Sequence, residues 1–125
     1  MNKNKKKLLI IMCNSDPANP EECYTPIFQA TVAAALSHEV EVVFTGVSGK
    51  LVIGNTAAQT EVDLQTHRTL YDIIKEAHGA GVTFKACNTS LQMAGEEILE
   101  EIDEKVGAAY VIDEAMDENT LTFTY

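Results

Sequence analysis

The sequence predicts a three-layer α/β/α sandwich built on a mostly parallel sheet of about five strands. Three observations carry the prediction. Residues 8–12 are a continuous apolar run bounded by polar residues, the pattern of a strand covered on both faces. A helical apolar pattern follows and leads into a second β-branched run at residues 40–45, so the order strand, helix, strand implies a right-handed crossover. Residues 82–86 and 121–125 again read as strands, with helical patterns between them.

In chain order, residues 1–7 form a basic tail carrying Lys3, Lys5, Lys6 and Lys7, expected to be a flexible, solubilising end. With the apolar run after it, this start superficially resembles a signal peptide. The apolar part is too short, and Asn14, Ser15 and Asp16 follow it with no small-residue cleavage pattern, so a core strand behind a solvated lysine run is the better reading. Residues 14–22 are a polar loop with two overlapping helix starts, Asn19-Pro20-Glu21-Glu22 and Thr25-Pro26. Tyr24, Ile27, Phe28, Thr31, Val32, Ala35 and Leu36 then recur at helical spacing to about Ser37.

After the second strand, residues 46–65 read as a loop with one brief extended piece at Leu51-Val52-Ile53. Thr69-Leu70-Tyr71-Asp72 has the form of a capping box, and Leu70, Ile73, Ile74 and Ala77 make the apolar face of a helix ending near Gly79. Beyond the strand at 82–86, Ile98, Leu99, Ile102 and Val106 form an apolar stripe beside six acidic residues, which reads as a solvated helix and needs no metal to explain it. Residues 108–116 match the helical period better than a strand, and 121–125 close the chain as a short strand.

At 125 residues the chain fits one domain, taken as 1–125. No apolar run approaches the ~20 residues a membrane-spanning helix needs. The net charge is −10, and because four of the nine basic residues lie in the tail, the body carries −14. Such a body repels phosphate backbones, which argues against nucleic-acid binding. With export unlikely, Cys13, Cys23 and Cys87 are expected to be reduced thiols of a cytoplasmic protein rather than a disulfide framework, and their odd number agrees.

In open parallel sheets, reactive groups gather beyond the carboxyl ends of the strands, which selects the loops at 13–22, 46–56 and 87–90. Cys87 stands where a strand passes into a helix start marked by Asn88, Thr89 and Ser90, whose free backbone N–H groups can stabilise a thiolate. Such a thiolate can attack a donor's sulfur, hold the transferred atom as a persulfide and pass it on without a cofactor. Thr89, Ser90 and Cys13 are the expected supporting groups; Cys13 and Cys23 otherwise suit packing. Gly46-Val47-Ser48-Gly49-Lys50 is no P-loop, because its glycines are too close and Leu51 follows the lysine. The loop after the first strand lacks the glycines of a flavodoxin-type phosphate loop, which argues against flavin. His38, His67 and His78 are isolated and receive no catalytic role.

Thr25-Pro26 into an alanine-rich helix, His38-Glu39-Val40 through Phe44, Thr69-Leu70-Tyr71-Asp72, Gly81-Val82 through Ala86-Cys87, Gly107-Ala108-Ala109 and Leu121-Thr122-Phe123 together resemble the DsrE/DsrF-like family. The resemblance spans nearly the whole chain. It implies a fold flavodoxin-like in general appearance, assembly into homo-trimers or hexamers, and a persulfide on the cysteine after a central strand, the position of Cys87, with sulfur donor and acceptor proteins as partners. Two functions are therefore expected to compete: a sulfur carrier or sulfurtransferase using Cys87, and a non-catalytic oligomeric module, binding a small ligand or protein, in which Cys87 is packed.

Overall fold

The computed structural model describes residues 6–88 and 97–125. The chain opens with β1 (Lys7–Met12), α1 (Pro20–Ala35) and β2 (Glu39–Phe44). A 3-10 helix (Gly46–Val52), the single turn α2 (Thr56–Gln59) and the hairpin β3 (Glu61–Asp63) and β4 (Arg68–Thr69) lead to α3 (Leu70–Gly79). Then come β5 (Thr83–Cys87), β6 (Ile102–Val106), α4 (Ala108–Met116) and β7 (Thr120–Thr124).

Five strands, all parallel, form the main sheet in the order β6-β5-β2-β1-β7. From Leu8 to Met12 β1 is apolar on both faces because both faces are covered, and β2 is so apart from Glu39 and Glu41. On one side Ile10, Met12, Val42, Phe44, Phe84 and Ala86 meet Cys23, Ile27 and Ala30 of α1, Ile74 and Ala77 of α3, and Leu51 and Val52 of the 3-10 helix. On the other, Leu9, Val43 and Val106 meet Tyr110, Val111 and Ala115 of α4 in a smaller cluster. These are the three expected layers. Among the described residues no helix is long and apolar enough to cross a membrane.

Local chemistry explains most helix ends. Of the two start signals before α1 the earlier wins: Pro20 takes the first turn, where its missing N–H costs nothing, and Pro26 is buried inside the helix. The end is a Schellman closure, His38 N–H to Ala33 O at 3.1 Å and Ser37 N–H to Ala34 O at 2.9 Å, with Ser37 at φ 71° where glycine is usual. α3 opens with the expected capping box, Asp72 N–H to Thr69 Oγ1 at 3.2 Å and Thr69 N–H to Asp72 Oδ2 at 3.0 Å.

Three expectations need correction. β1 begins one residue early, so Lys7, assigned to the tail, is part of the sheet. The stretch 46–65 is not one loop: residues 46–52 wind as a 3-10 helix whose Leu51 and Val52 are fully buried, because the second helical layer needs apolar cover there. Residues 102–106, read as helix, are the edge strand β6. Its register shifts between Phe84 and Lys85 of β5, and Asp103 at that irregularity accepts the Phe84 N–H at 2.9 Å and lies 3.0 Å from His78 Nε2. A bulge adds a residue and breaks the two-residue period, which leaves apolar spacing that mimics a helix.

Candidate functional site

The three loops singled out from the sequence do lie at the carboxyl ends of β1, β2 and β5, along one rim of the sheet. The rim is tightly tied. Thr45 N–H bonds Met12 O at 2.9 Å, Val47 N–H bonds Cys13 O at 3.1 Å, and Cys13 N–H bonds Tyr125 O at 2.7 Å. Gly46 permits this approach: it sits at φ +55°, and a Cβ there would come within 2.9 Å of Cys13 O.

Cys87 is the last residue of β5, and Asn88 after it is exposed with helical backbone geometry. Phe84 and Ala86 belong to the large core, so alternation places Lys85 and Cys87 on the α4 face. Cys87 pairs across to Val106 on one side and is only 9% exposed. Thr89 and Ser90 lie outside the described residues.

Cys13 stands two residues after Ile11, which also packs on the α4 face. The register Met12, Phe44, Ala86 makes Cys13, Thr45 and Cys87 one row across three neighbouring strands. Two inter-strand spacings separate the two cysteines, roughly 10 Å between Cα atoms. A disulfide tolerates no more than about 7 Å. They share a face and a rim but cannot bond each other without backbone movement, and no disulfide is present among the three cysteines.

Cys23 is excluded from this chemistry. It is fully buried on the sheet-facing side of α1, donates to Asp16 O at 3.2 Å, and burial, with Asp16 and Glu22 nearby, pushes its thiol up to about 11. A thiol raised in the folded state contributes stability that is complete below its unfolded pKa, near 8.5, and is lost as the pH rises toward about 11. Accordingly the stability difference between wild type and Cys23→Ala should shrink by about 2 kcal/mol between pH 8.5 and 11, read from urea midpoints. A difference that stays constant across that range would show that the thiol ionises as freely folded as unfolded.

Beneath the cysteine row, the same face holds a charge cluster that the sequence reading missed. Glu41 of β2 is 3% exposed and lies 2.7 Å from Lys7 Nζ and 3.4 Å from Lys85 Nζ. Tyr110 of α4 donates its hydroxyl to Glu41 at 2.9 Å and accepts from Lys85 at 2.5 Å, while Lys7 also reaches Glu114 of α4 at 2.5 Å. Burial alone would lower both lysines, but hydrogen bonds to Glu114 and Glu41 hold Lys7 well above its usual value, and Tyr110 and Glu104 do the same for Lys85. Burial, together with the Glu41 carboxylate, raises Tyr110. The cluster fastens α4 onto the face that Cys87 shares. Its only trace in the sequence is a charge in the middle of each of two strands.

Of the histidines, His67 lies 3.5 Å from Glu61 and His78 pairs with Asp103, neither of them on the cysteine row. Among the described residues no group of three or more His, Cys, Asp or Glu is arranged to hold a metal ion.

Comparison with known proteins agrees with this architecture. The ychN protein from E. coli superposes with a TM-score of 0.69 at 11% identity, covering 94% of this chain and 99% of that one. BT1422, a conserved protein of unknown function from Bacteroides thetaiotaomicron, gives 0.64 at 17% identity, covering 96% and 95%. No curated protein matches the sequence. The family model described as DsrE/DsrF-like matches residues 6–123, nearly the whole chain, and with the parallel order β6-β5-β2-β1-β7 this establishes that the chain belongs to the DsrE/DsrF-like family.

Proposed function

We propose that the protein is a sulfur carrier that holds a persulfide on Cys87 and passes it to a partner thiol. The observation that carries the reading is the place of Cys87, at the carboxyl end of an interior parallel strand, where catalytic groups of open α/β sheets collect. Membership of a family linked to sulfur relay supports it. The Cys87 thiolate attacks the outer sulfur of a donor persulfide, R–S–SH. The donor's S–S bond breaks, a new one forms to Cys87 Sγ, and the donor leaves as a thiolate. An acceptor thiolate repeats the exchange on Cys87–S–SH and restores the Cys87 thiolate. Neither step has a net oxidant or reductant, so no cofactor is required. The expected setting is the cytoplasm, where thiols stay reduced.

Incubating the reduced protein with a low-molecular-weight persulfide should add one sulfur atom by intact mass, removable by excess thiol, and Cys87→Ser should abolish the adduct. An unmodified wild type, or an equal adduct on Cys87→Ser, would sink the proposal.

The burial of Cys87 favours the second reading, a non-catalytic oligomeric module in which this thiol is packed. Slow alkylation of Cys87 at pH 6 supports that reading, and fast, selective alkylation counts against it. Under either reading, assembly into a homo-trimer or hexamer accords with the large apolar side chains exposed on α1 (Phe28, Val32) and β7 (Leu121, Phe123). A monomer in sedimentation at working concentrations would rule assembly out.

A further inference from the structure

The two edges of the sheet are built differently. An edge strand offers a row of main-chain N–H and C=O groups to any other strand, and proteins ordinarily blunt it with charge, proline or a bulge. β6 is blunted in this way: Asp103, Glu104 and Lys105 are charged, and its register shifts against β5. β7 has none of these devices. Its sequence, Thr-Leu-Thr-Phe-Thr, is uncharged and favours extended backbone, and its pairing with β1 runs unbroken from Thr120 to Thr124. Among the described residues no strand lies on its other side.

The bonds at the two ends of β7 fix which groups face outward. Lys7 N–H reaches Asn119 O, Tyr125 N–H reaches Ile11 O and Cys13 N–H reaches Tyr125 O, so by alternation Leu121 and Phe123 also turn their main-chain groups toward β1. Thr122 and Thr124 therefore turn theirs away from it, as Thr120 does its C=O, while the Thr120 N–H is taken by Asp117 O at 3.0 Å. Side chains follow the same alternation. Thr122 is in register with Leu9, which packs against α4, and its hydroxyl is buried with no partner among the described residues. Leu121 and Phe123 stand on the opposite, α1 face, 50% and 38% exposed, and with Leu8 and Ala33 they line a groove of about 360 Å³. Its polar members, Lys6, Lys7 and His38, sit at the amino ends of β1 and β2.

We infer that two copies of the chain pair β7 with β7, antiparallel, about a twofold axis at Thr122, so that two five-stranded sheets become one. A second copy fits because the strand complements itself in this register. The Thr122 N–H and C=O exchange bonds with Thr122 of the other copy, the Thr124 N–H bonds Thr120 O across the axis, and the buried Thr122 hydroxyl meets its own counterpart as a cross-strand threonine pair. Leu121 lies opposite Phe123 of the other copy, twice over, at positions between the ladder bonds where opposed side chains come closest. The strand carries no charge, so two copies of a chain with net charge −10 can meet along it without setting like charges opposite each other. The contact is independent of sulfur chemistry at Cys87. It narrows the assembly proposed above, because a hexamer can contain a twofold axis and a lone trimer cannot.

The test mixes two full-chain single variants, Leu121→Cys and Phe123→Cys, under mild oxidation, with wild type as the control for Cys13, Cys23 and Cys87. Residues opposed at such positions are about 4.5 Å apart between Cα atoms, within disulfide reach, so peptide mass spectrometry of the mixture should find a disulfide joining positions 121 and 123. Position 121 lies roughly 8 Å from position 121 of the other copy, too far for a disulfide, so neither variant alone should cross-link at its new thiol. Sedimentation of wild type should give an even number of copies. Thr122→Pro removes an N–H that faces away from β1, a substitution an edge strand tolerates, and should halve the assembled mass. Wild-type sedimentation and the cross-link do not depend on how well the proline variant folds. A monomeric or trimeric wild type, no 121–123 disulfide in the mixture, a 121–121 or 123–123 disulfide in a single variant, or undiminished mass in a folded Thr122→Pro variant would overturn the inference.

Discussion

Glu41→Ala should destabilise the protein by about 3–5 kcal/mol, because it strands two partly buried ammonium groups that now share one carboxylate. Lys7 and Lys85 have side chains only 14% and 12% exposed, so water cannot replace Glu41 cheaply. Tyr110 would lose its acceptor at the same time, loosening α4 from the sheet. The measurement is urea unfolding at pH 7, with the triple variant Lys7→Met/Glu41→Leu/Lys85→Met as control. A buried ion cluster replaced whole by apolar groups is often neutral in stability, so the triple variant should recover most of the loss. A Glu41→Ala cost below about 1 kcal/mol would mean that Glu104 and Glu114 can carry both lysines alone.

Phe44→Ala should cost a similar about 3–5 kcal/mol for a different reason. Phe44 is fully buried at the end of β2, and its ring stacks on Phe84 of β5 at 5.8 Å between centroids. Truncation removes apolar contact on the most crowded face of the sheet and leaves a cavity that α1, α3 and the 3-10 helix, each tied elsewhere, can only partly close. Phe44→Leu retains most of the volume and should cost less than about 1.5 kcal/mol. Equal losses for the two variants would show that the aromatic stack, rather than the filled volume, is what matters there.

These sites also show what could be read before any coordinates. Phe44, Ile74 and the capping box at Thr69 were legible because their signals are local: a β-branched run, a 3.6-residue stripe, a side chain reaching three residues along. The rim that carries Cys13 and Cys87 was legible too, since it follows from strand order and the rule for parallel sheets. The helix read at 98–106 was not a strand by any local test. Its bulge at Asp103 is set by pairing with β5, and a broken period of two looks helical in one dimension. Glu41 and Lys85 stand far apart in the chain, and only the adjacency of β2 and β5, with α4 laid across them, makes their charges one cluster.

By itself, the sequence determined the layered α/β class, the order of most elements, the family, and Cys87 as the thiol at a strand end, because each depends on residue type and periodicity along a few turns of chain. Tertiary structure alone decided that Cys87 is buried and about two strands from Cys13, that Cys23 is locked as a thiol, and that the loop after β1, the first turns of α1 and Tyr125 enclose a cavity beside Ser15. Those are properties of distance and enclosure between segments remote in sequence, and no local pattern encodes them.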